Sequence, residues 1–226
     1  PVFPDVVDRS EIRIAAVTSV PVDLATWPRA DQFRFFRTYA RPHYAVTARI
    51  DVTRLLTMRK PQGVSPYRAC IHAIGAGIHA VPELRMRFRG DAVTLYDIIT
   101  LSMTVPLANG NFNYAYVPFQ ADASGFDASC RDLMEAARAD GTLNANSGQR
   151  DDLAYLSCMP WLDYTSINNA LPGPDDCIPR VSWGKFVQGP DGRWSMAMTI
   201  EVHHALVDGR QVGAYFEAVQ TSLSGS

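Results

Sequence analysis

Near the end of the chain, His203-His204-Ala-Leu-Val-Asp208-Gly209 joins two segments of contrasting periodicity. Before it, Trp194, Met196, Met198, Ile200 and Val202 alternate with Ser195, Ala197, Thr199 and Glu201, the period-two pattern of a strand. After it, Val212, Tyr215, Phe216 and Val219 recur at helical spacing. Parity puts His204 on the apolar face, where an imidazolium is costly to bury, so a neutral ring is expected. A neutral imidazole can take the proton of a hydroxyl and serve as general base. Asp208 stands where a helix N-cap belongs. Judged on these residues alone, a capping aspartate and a satisfied core histidine form the competing reading.

The preceding elements must carry this turn. Pro21 to Pro28 reads as extended chain, and Ala30 to Tyr39 as a short helix bearing Phe33 and Phe36. Tyr44 to Asp51 alternates as a strand, with Asp51 placed to cap a following helix. Ser65-Pro66 opens a helix to about Ala80, before Pro82. Arg85 to Leu95 reads as two strands about the Arg89-Gly90-Asp91 turn. Ile98–Leu107 and Phe112–Pro118 are further strands, and Ala128 to Asp140 is a helix stopped by Gly141. Leu153–Cys158 and Val181–Val187 are short β-rich runs, followed by the Gly189-Pro-Asp-Gly192 turn. The expected class is α+β: a mixed, largely antiparallel sheet with helices packed on one side.

Composition removes several alternatives. The chain has 226 residues with 21 Lys plus Arg against 23 Asp plus Glu, so a nucleic-acid-binding role is disfavoured. No apolar run approaches the roughly 20 residues needed to span a bilayer. Cys70, Cys130, Cys158 and Cys177 form no C-x-x-C pair and read as free thiols. Pro1 to Glu11 shows no basic region followed by an apolar run, so a cytoplasmic protein is expected. Gly75-Ala-Gly77 lies inside a helix and reads as small-residue packing rather than a nucleotide fingerprint. His72 and His79 share a helical face without a third ligand, so no metal site is expected. Gln149 to Asp152 reads as a solvated loop. No G-x-S-x-G elbow is present, which argues against a serine hydrolase. Charged residues are 19% of the chain, as expected of a subunit with extensive buried interfaces.

Several stretches together are similar to the chloramphenicol acetyltransferase family. His203-His204-Ala-x-x-Asp208-Gly209 matches its signature. Val20 to Arg29 with Trp27, Pro82 to Met86, Leu156 to Trp161 with Ser157, and Pro179 to Phe186 follow the family pattern in order. The resemblance covers roughly residues 20–222. It implies one acyltransferase domain over 20–226, with an N-terminal extension over 1–19, and a homotrimer whose active sites lie between subunits. It implies direct acetyl transfer from acetyl-CoA as co-substrate, with no acyl-enzyme and no metal. In it, His204 is the base, Ser157 donates to the oxyanion, and Asp208 pairs with Arg29 to hold the His turn. Ser182 would hold a water, standing where the family usually has Thr, and Lys185 and Phe186 would lie near the coenzyme.

The acceptor side follows the pattern less closely. Phe35, Phe36, Tyr44 and Phe112 are candidate aromatic walls, each also suited to core packing. Asn169 stands where the family supplies an aliphatic contact, and Pro42 where some members have Cys. The expected activity is acetylation of chloramphenicol, which inactivates the antibiotic. Two alternatives remain open: the same transfer to another alcohol or amine, or a catalytically silent trimeric binding module.

Overall fold

The computed structural model of the chain describes residues 17–146, 148 and 150–225. The chain opens with β1 (Ser19–Pro21), α1 (Ala30–Phe36) and β2 (His43–Asp51). After α2 (Pro66–Ala80) come β3 (Met86–Arg89), β4 (Ala92–Tyr96), β5 (Thr100–Pro106), β6 (Phe112–Pro118) and α3 (Ala123–Asp140). The last third holds β7 (Leu153–Cys158), β8 (Arg180–Trp183), β9 (Val187–Gln188), β10 (Trp194–His203) and α4 (Gly209–Ser224). The principal sheet runs β2-β10-β8-β7-β5-β6, with β9 also on β10. Its β5–β7 and β7–β8 pairs are parallel and the others antiparallel. A smaller sheet runs β1-β4-β3. The expected α+β class holds.

Strand alternation explains how the principal sheet is used. Directly paired residues point to the same face. Ala115, Met103, Leu156, Val181, Ile200 and Val46 form one continuous row across β6-β5-β7-β8-β10-β2. That apolar face joins the core with Ile71, Ile74 and Ile78 of α2, Phe126 of α3 and Val212 and Tyr215 of α4. The opposite face carries the row Tyr116, Ser102, Tyr155, Arg180 and Glu201. One step along it lie the pairs Tyr114–Thr104 and, on the neighbouring strands, Ser157, Ser182, Thr199 and Thr47. One face is thus methyl-lined and the other hydroxyl-lined.

Helix contacts follow from small residues and caps. A Cβ at Gly77 would lie 2.7 Å from Val219 and 2.8 Å from Tyr215, so this glycine lets α2 and α4 approach closely. A Cβ at Gly75 would meet Phe119 at 2.4 Å. Small-residue packing is therefore the role of Gly75-Ala-Gly77. His79 is also absorbed by packing: its Nδ1 lies 2.8 Å from the Gly75 carbonyl, and its Nε2 accepts from Ile99 N–H at 3.2 Å. Arg87 on β3 is fully buried. Its guanidinium donates to the carbonyls of Leu84, Met86, Asp151 and Leu153, which rivets the smaller sheet to β7.

Several local expectations change. Leu24 to Thr26 form a turn, held by the Asp23 carboxylate accepting from Ala25 N–H, so Pro21 to Pro28 is not extended. α1 ends at Phe36, short of Tyr39. Asp51 accepts from Thr53 N–H, but the segment beyond it is a π turn (Leu55–Arg59) and a 3-10 turn rather than an α-helix. α3 starts at Ala123 because Asp122 caps it, accepting from Gly125 N–H. The Val181–Val187 run is broken at Gly184, where a Cβ would lie 2.6 Å from the Leu162 carbonyl. Asp152 is buried and accepts from Thr100 and Arg150, while Asp151 pairs with Arg89, so this stretch is not a solvated loop; Gln149 lies outside the described residues. Of the expected extension, residues 1–16 lie outside the described residues, while Thr18 bonds to Asp97 and Ser19 pairs with Tyr96.

Candidate active site

His204 leaves the sheet. β10 ends at His203, and His204 to Leu206 form the turn into α4, so strand parity does not set the orientation of His204. The half-buried ring stacks on Phe36, with centroids 3.8 Å apart and planes at 8°, and lies 4.8 Å from Tyr44. His204 Nδ1 is buried without a hydrogen-bond partner among the described residues. The turn is anchored on both sides. His204 N–H donates to the Pro42 carbonyl at 2.9 Å. Arg29, 8% exposed, donates to the carbonyls of Leu206 and His204 and pairs with the Asp208 carboxylate. Asp208 also caps α4, with a capping box through Gln211. Capping and ion pairing are thus both its work. Its side chain is 37% exposed, so burial of the pair falls mainly on Arg29. Burial pushes the Asp208 carboxyl up, but the Arg210 N–H and the Arg29 charge outweigh it and hold it below its usual range. Burial, and then the Asp208 charge, push the Tyr44 phenol up to about 12. Tyr44 therefore stays protonated and donates to the Val207 carbonyl at 3.3 Å.

His203 has a different task. It is 2% exposed, its Nε2 lies 2.9 Å from the Pro174 carbonyl, and its Nδ1 accepts from Ala205 N–H. It ties the 174–176 segment to the turn. Burial, and then neighbouring His43, pull its pKa down to about 4.

Ser157 lies elsewhere in the same chain. It pairs with Ser182, and Ser182 with Thr199. His204 is five residues beyond Thr199, so about 16 Å along the strand and roughly 10 Å across two strand spacings separate it from Ser157. Within one chain the two cannot act on the same carbon atom. Ser157 instead stands where two cavities meet. One, of about 850 Å³, is walled by Phe112, Cys158, Trp161, Trp183, Lys185 and Phe186. The other, of about 380 Å³, opens on the hydroxyl-lined face of the sheet.

The expected residues therefore fall into three groups. Phe35, Phe36 and Tyr44 gather near His204, with Phe35 packed edge-on against Phe36. Phe112, Lys185 and Phe186 line the larger cavity, so within one chain Phe112 does not share a wall with Phe35, Phe36 or Tyr44. Ser182 is 1% exposed beside Ser157, its Oγ without a partner among the described residues, and it is not part of the larger cavity's wall. Asn169 lines the smaller cavity and donates twice to the Glu201 carboxylate. Sequence reasoning missed Ser102, Tyr116 and Tyr155 in that smaller cavity. Their signal was the polar parity of β5, β6 and β7, hidden inside runs that read as apolar.

The fold places a histidine turn at the end of its longest strand. It is shared with a probable dihydrolipoamide acetyltransferase from Listeria monocytogenes, at TM-score 0.64 and 14% identity, over 90% of this chain and 93% of that one. The chain belongs to the chloramphenicol acetyltransferase family, whose profile matches residues 18–220. Among similar proteins, a chloramphenicol acetyltransferase from Bacillus pumilus is 26% identical over 84% of this chain and 86% of that protein. Chloramphenicol acetyltransferase 3 from Escherichia coli is 25% identical over 88% and 93%. A solved chloramphenicol acetyltransferase superposes with TM-score 0.85 at 25% identity, covering 91% of this chain and all of that one. Family and fold make the chain an acetyltransferase. Among the described residues no helix is long and apolar enough to cross a membrane.

Proposed function

We propose that this chain transfers an acetyl group from acetyl-CoA to a hydroxyl of a small-molecule alcohol by direct attack, at sites completed by a second copy of itself. The carrying observation is the separation of His204 from Ser157 within one chain, although each is built for part of one reaction. A homotrimer of 20–226 acyltransferase domains brings the His204 turn of one copy to the Ser157 cavities of the next. His204 takes the acceptor hydroxyl proton as the oxygen attacks the thioester carbon. Ser157 Oγ donates to the oxyanion of the tetrahedral intermediate. Collapse breaks the carbon–sulfur bond, and the imidazolium returns its proton to the departing coenzyme A thiolate. The products are an acetyl ester and free coenzyme A. Ser182, with its unpartnered Oγ next to Ser157, suits a bound water.

The larger cavity suits the donor. Its apolar walls fit a pantetheine arm, and the exposed Lys185 and Arg138 at its lining offer positive charge to phosphates. Cys158 shares that wall, but burial pushes its thiol up to about 12, which leaves it a poor nucleophile and supports transfer without an acyl-enzyme. Chloramphenicol is the first acceptor to test, because relatives carry its name and antibiotic inactivation would then be the role. A second reading, another alcohol, is favoured by the polar lining of the smaller cavity. Action in the cytoplasm, where acetyl-CoA is held, fits the four free thiols. The test is His204→Ala: coenzyme A release in the presence of acceptor is expected to fall by about a thousandfold or more with assembly retained. An unchanged rate would reject the mechanism, whereas no acceptor-dependent release from the unsubstituted chain would favour a silent binding module.

A further inference from the structure

We propose that the smaller cavity beside Ser157 selects a neutral, polyhydroxylated acceptor, such as a glycoside or polyol, in preference to a largely apolar alcohol. This rests on the acetyl transfer proposed above and names the substrate class of that same site.

The observations come from one face of the sheet. Pairing sets Tyr116, Ser102 and Tyr155 in a row across β6, β5 and β7, with Tyr114 and Thr104 one step along. All five line the cavity together with Ser157. Each brings a hydroxyl, although that of Tyr116 already donates to the Asn144 carbonyl at 2.7 Å and is left as an acceptor. Asn146 and Asn169 add amides at the rim. Asn169 is held in place because its N–H and Nδ2 both donate to Glu201, which leaves the side-chain oxygen Oδ1 as its acceptor. Tyr155 is held the same way, accepting from Asn146 Nδ2 at 2.9 Å.

Charge decides against an ionic acceptor. The charged residue in this lining is Arg180, and its guanidinium is paired with Asp176 and lies over the Tyr155 ring at 5.2 Å. A carboxylate or phosphate would have to compete with Asp176, and an ammonium group would meet a guanidinium. An apolar acceptor is disfavoured differently. It would strip water from these hydroxyls without replacing their hydrogen bonds, which is costly in a site rich in such groups. Tyr114, which lines the smaller cavity and not the larger one, is half-buried. Thr104 and Ser157 line both cavities, so a hydroxyl seated in the smaller one stands beside the donor's reacting end.

The test follows thiol release from acetyl-CoA with the full chain and three acceptor types: chloramphenicol, benzyl alcohol, and a panel of neutral glycosides and polyols. The best polyhydroxylated compound is expected to exceed chloramphenicol in kcat/KM, by about tenfold. Chloramphenicol or benzyl alcohol performing equally or better overturns the acceptor class while leaving acetyl transfer intact. Loss of His204-dependent release with every acceptor overturns the transfer reading itself. Tyr114→Phe supplies a second readout, because it removes one hydroxyl of the smaller cavity's lining and keeps the ring, so folding should not suffer. A rise of about fivefold in KM for the polyhydroxylated acceptor is expected, with the KM for acetyl-CoA unmoved. An unmoved acceptor KM, with the melting temperature retained, overturns the proposal.

Discussion

At the scale of residues, two neighbouring histidines have separate duties. His204 is stacked and held by its turn, whereas His203 is a buried tie to Pro174. If Ser157 donates to the oxyanion, Ser157→Ala is expected to lower kcat by about 10²–10³ with little change in either KM, measured by steady-state kinetics. His203 and His79 contribute to acid stability. Burial lowers both to about 4 from an ordinary value of 6.5. Between those values the unfolded chain binds protons that the folded chain refuses, so stability rises with pH across that window. It should be fully present above pH 6.5 and fall as the pH drops toward 4. The slope should reach about 1.4 kcal/mol per pH unit for each histidine, read from urea unfolding at a series of pH values. His203→Gln should remove its share of that slope and leave the shares of His79 and of His72, which burial also lowers. The signature made His204 and Asp208 legible from sequence. It did not show that the strand would stop one residue short of His204, because alternation carries no mark of where the backbone turns away.

At the scale of elements, the sequence was most readable where spacing and caps agreed. α2 opened at Ser65-Pro66 and closed at Ala80 as expected, and β6 and β7 kept their bounds. The losses came where a single side chain overrode a pattern. Asp122 began α3 earlier than its apolar spacing indicated, and Gly184 broke a β-rich run so that the Leu162 backbone could approach. The approach of Gly184 to Leu162 lies outside any local window, whereas the Asp122 cap reaches only to Gly125 and was passed over in favour of the apolar spacing. The α2–α4 contact offers a clean test. Gly77→Ala places a methyl group against Val219 and Tyr215 and is expected to cost about 1–3 kcal/mol despite the better helix propensity of Ala, measured by chemical denaturation.

At the scale of the whole molecule, if His204 and Ser157 serve one reaction, their separation means that the folding of one chain does not complete the site. If neighbouring copies do so, two inactive variants should rescue each other. Mixing His204→Ala and Ser157→Ala chains, with unfolding and reassembly, is expected to restore a fraction of activity, because some junctions then receive an intact histidine and an intact serine. No recovery in verified mixed assemblies would place both groups in one copy. The low charge content was read as a sign of buried interfaces, but charge counting could not reveal that one face of the sheet is lined by hydroxyls; the strand register does. Arg87 adds a constraint of another kind. Its fork holds carbonyls on either side of the junction between the two sheets, and a guanidinium keeps its charge at any ordinary pH. Parting the sheets would therefore strand a cation in an apolar interior. The cheapest fluctuations of the native chain must keep residues 86–89 and 151–153 together, so that this joint opens and recloses as one cooperative unit while turns and cavity rims move around it.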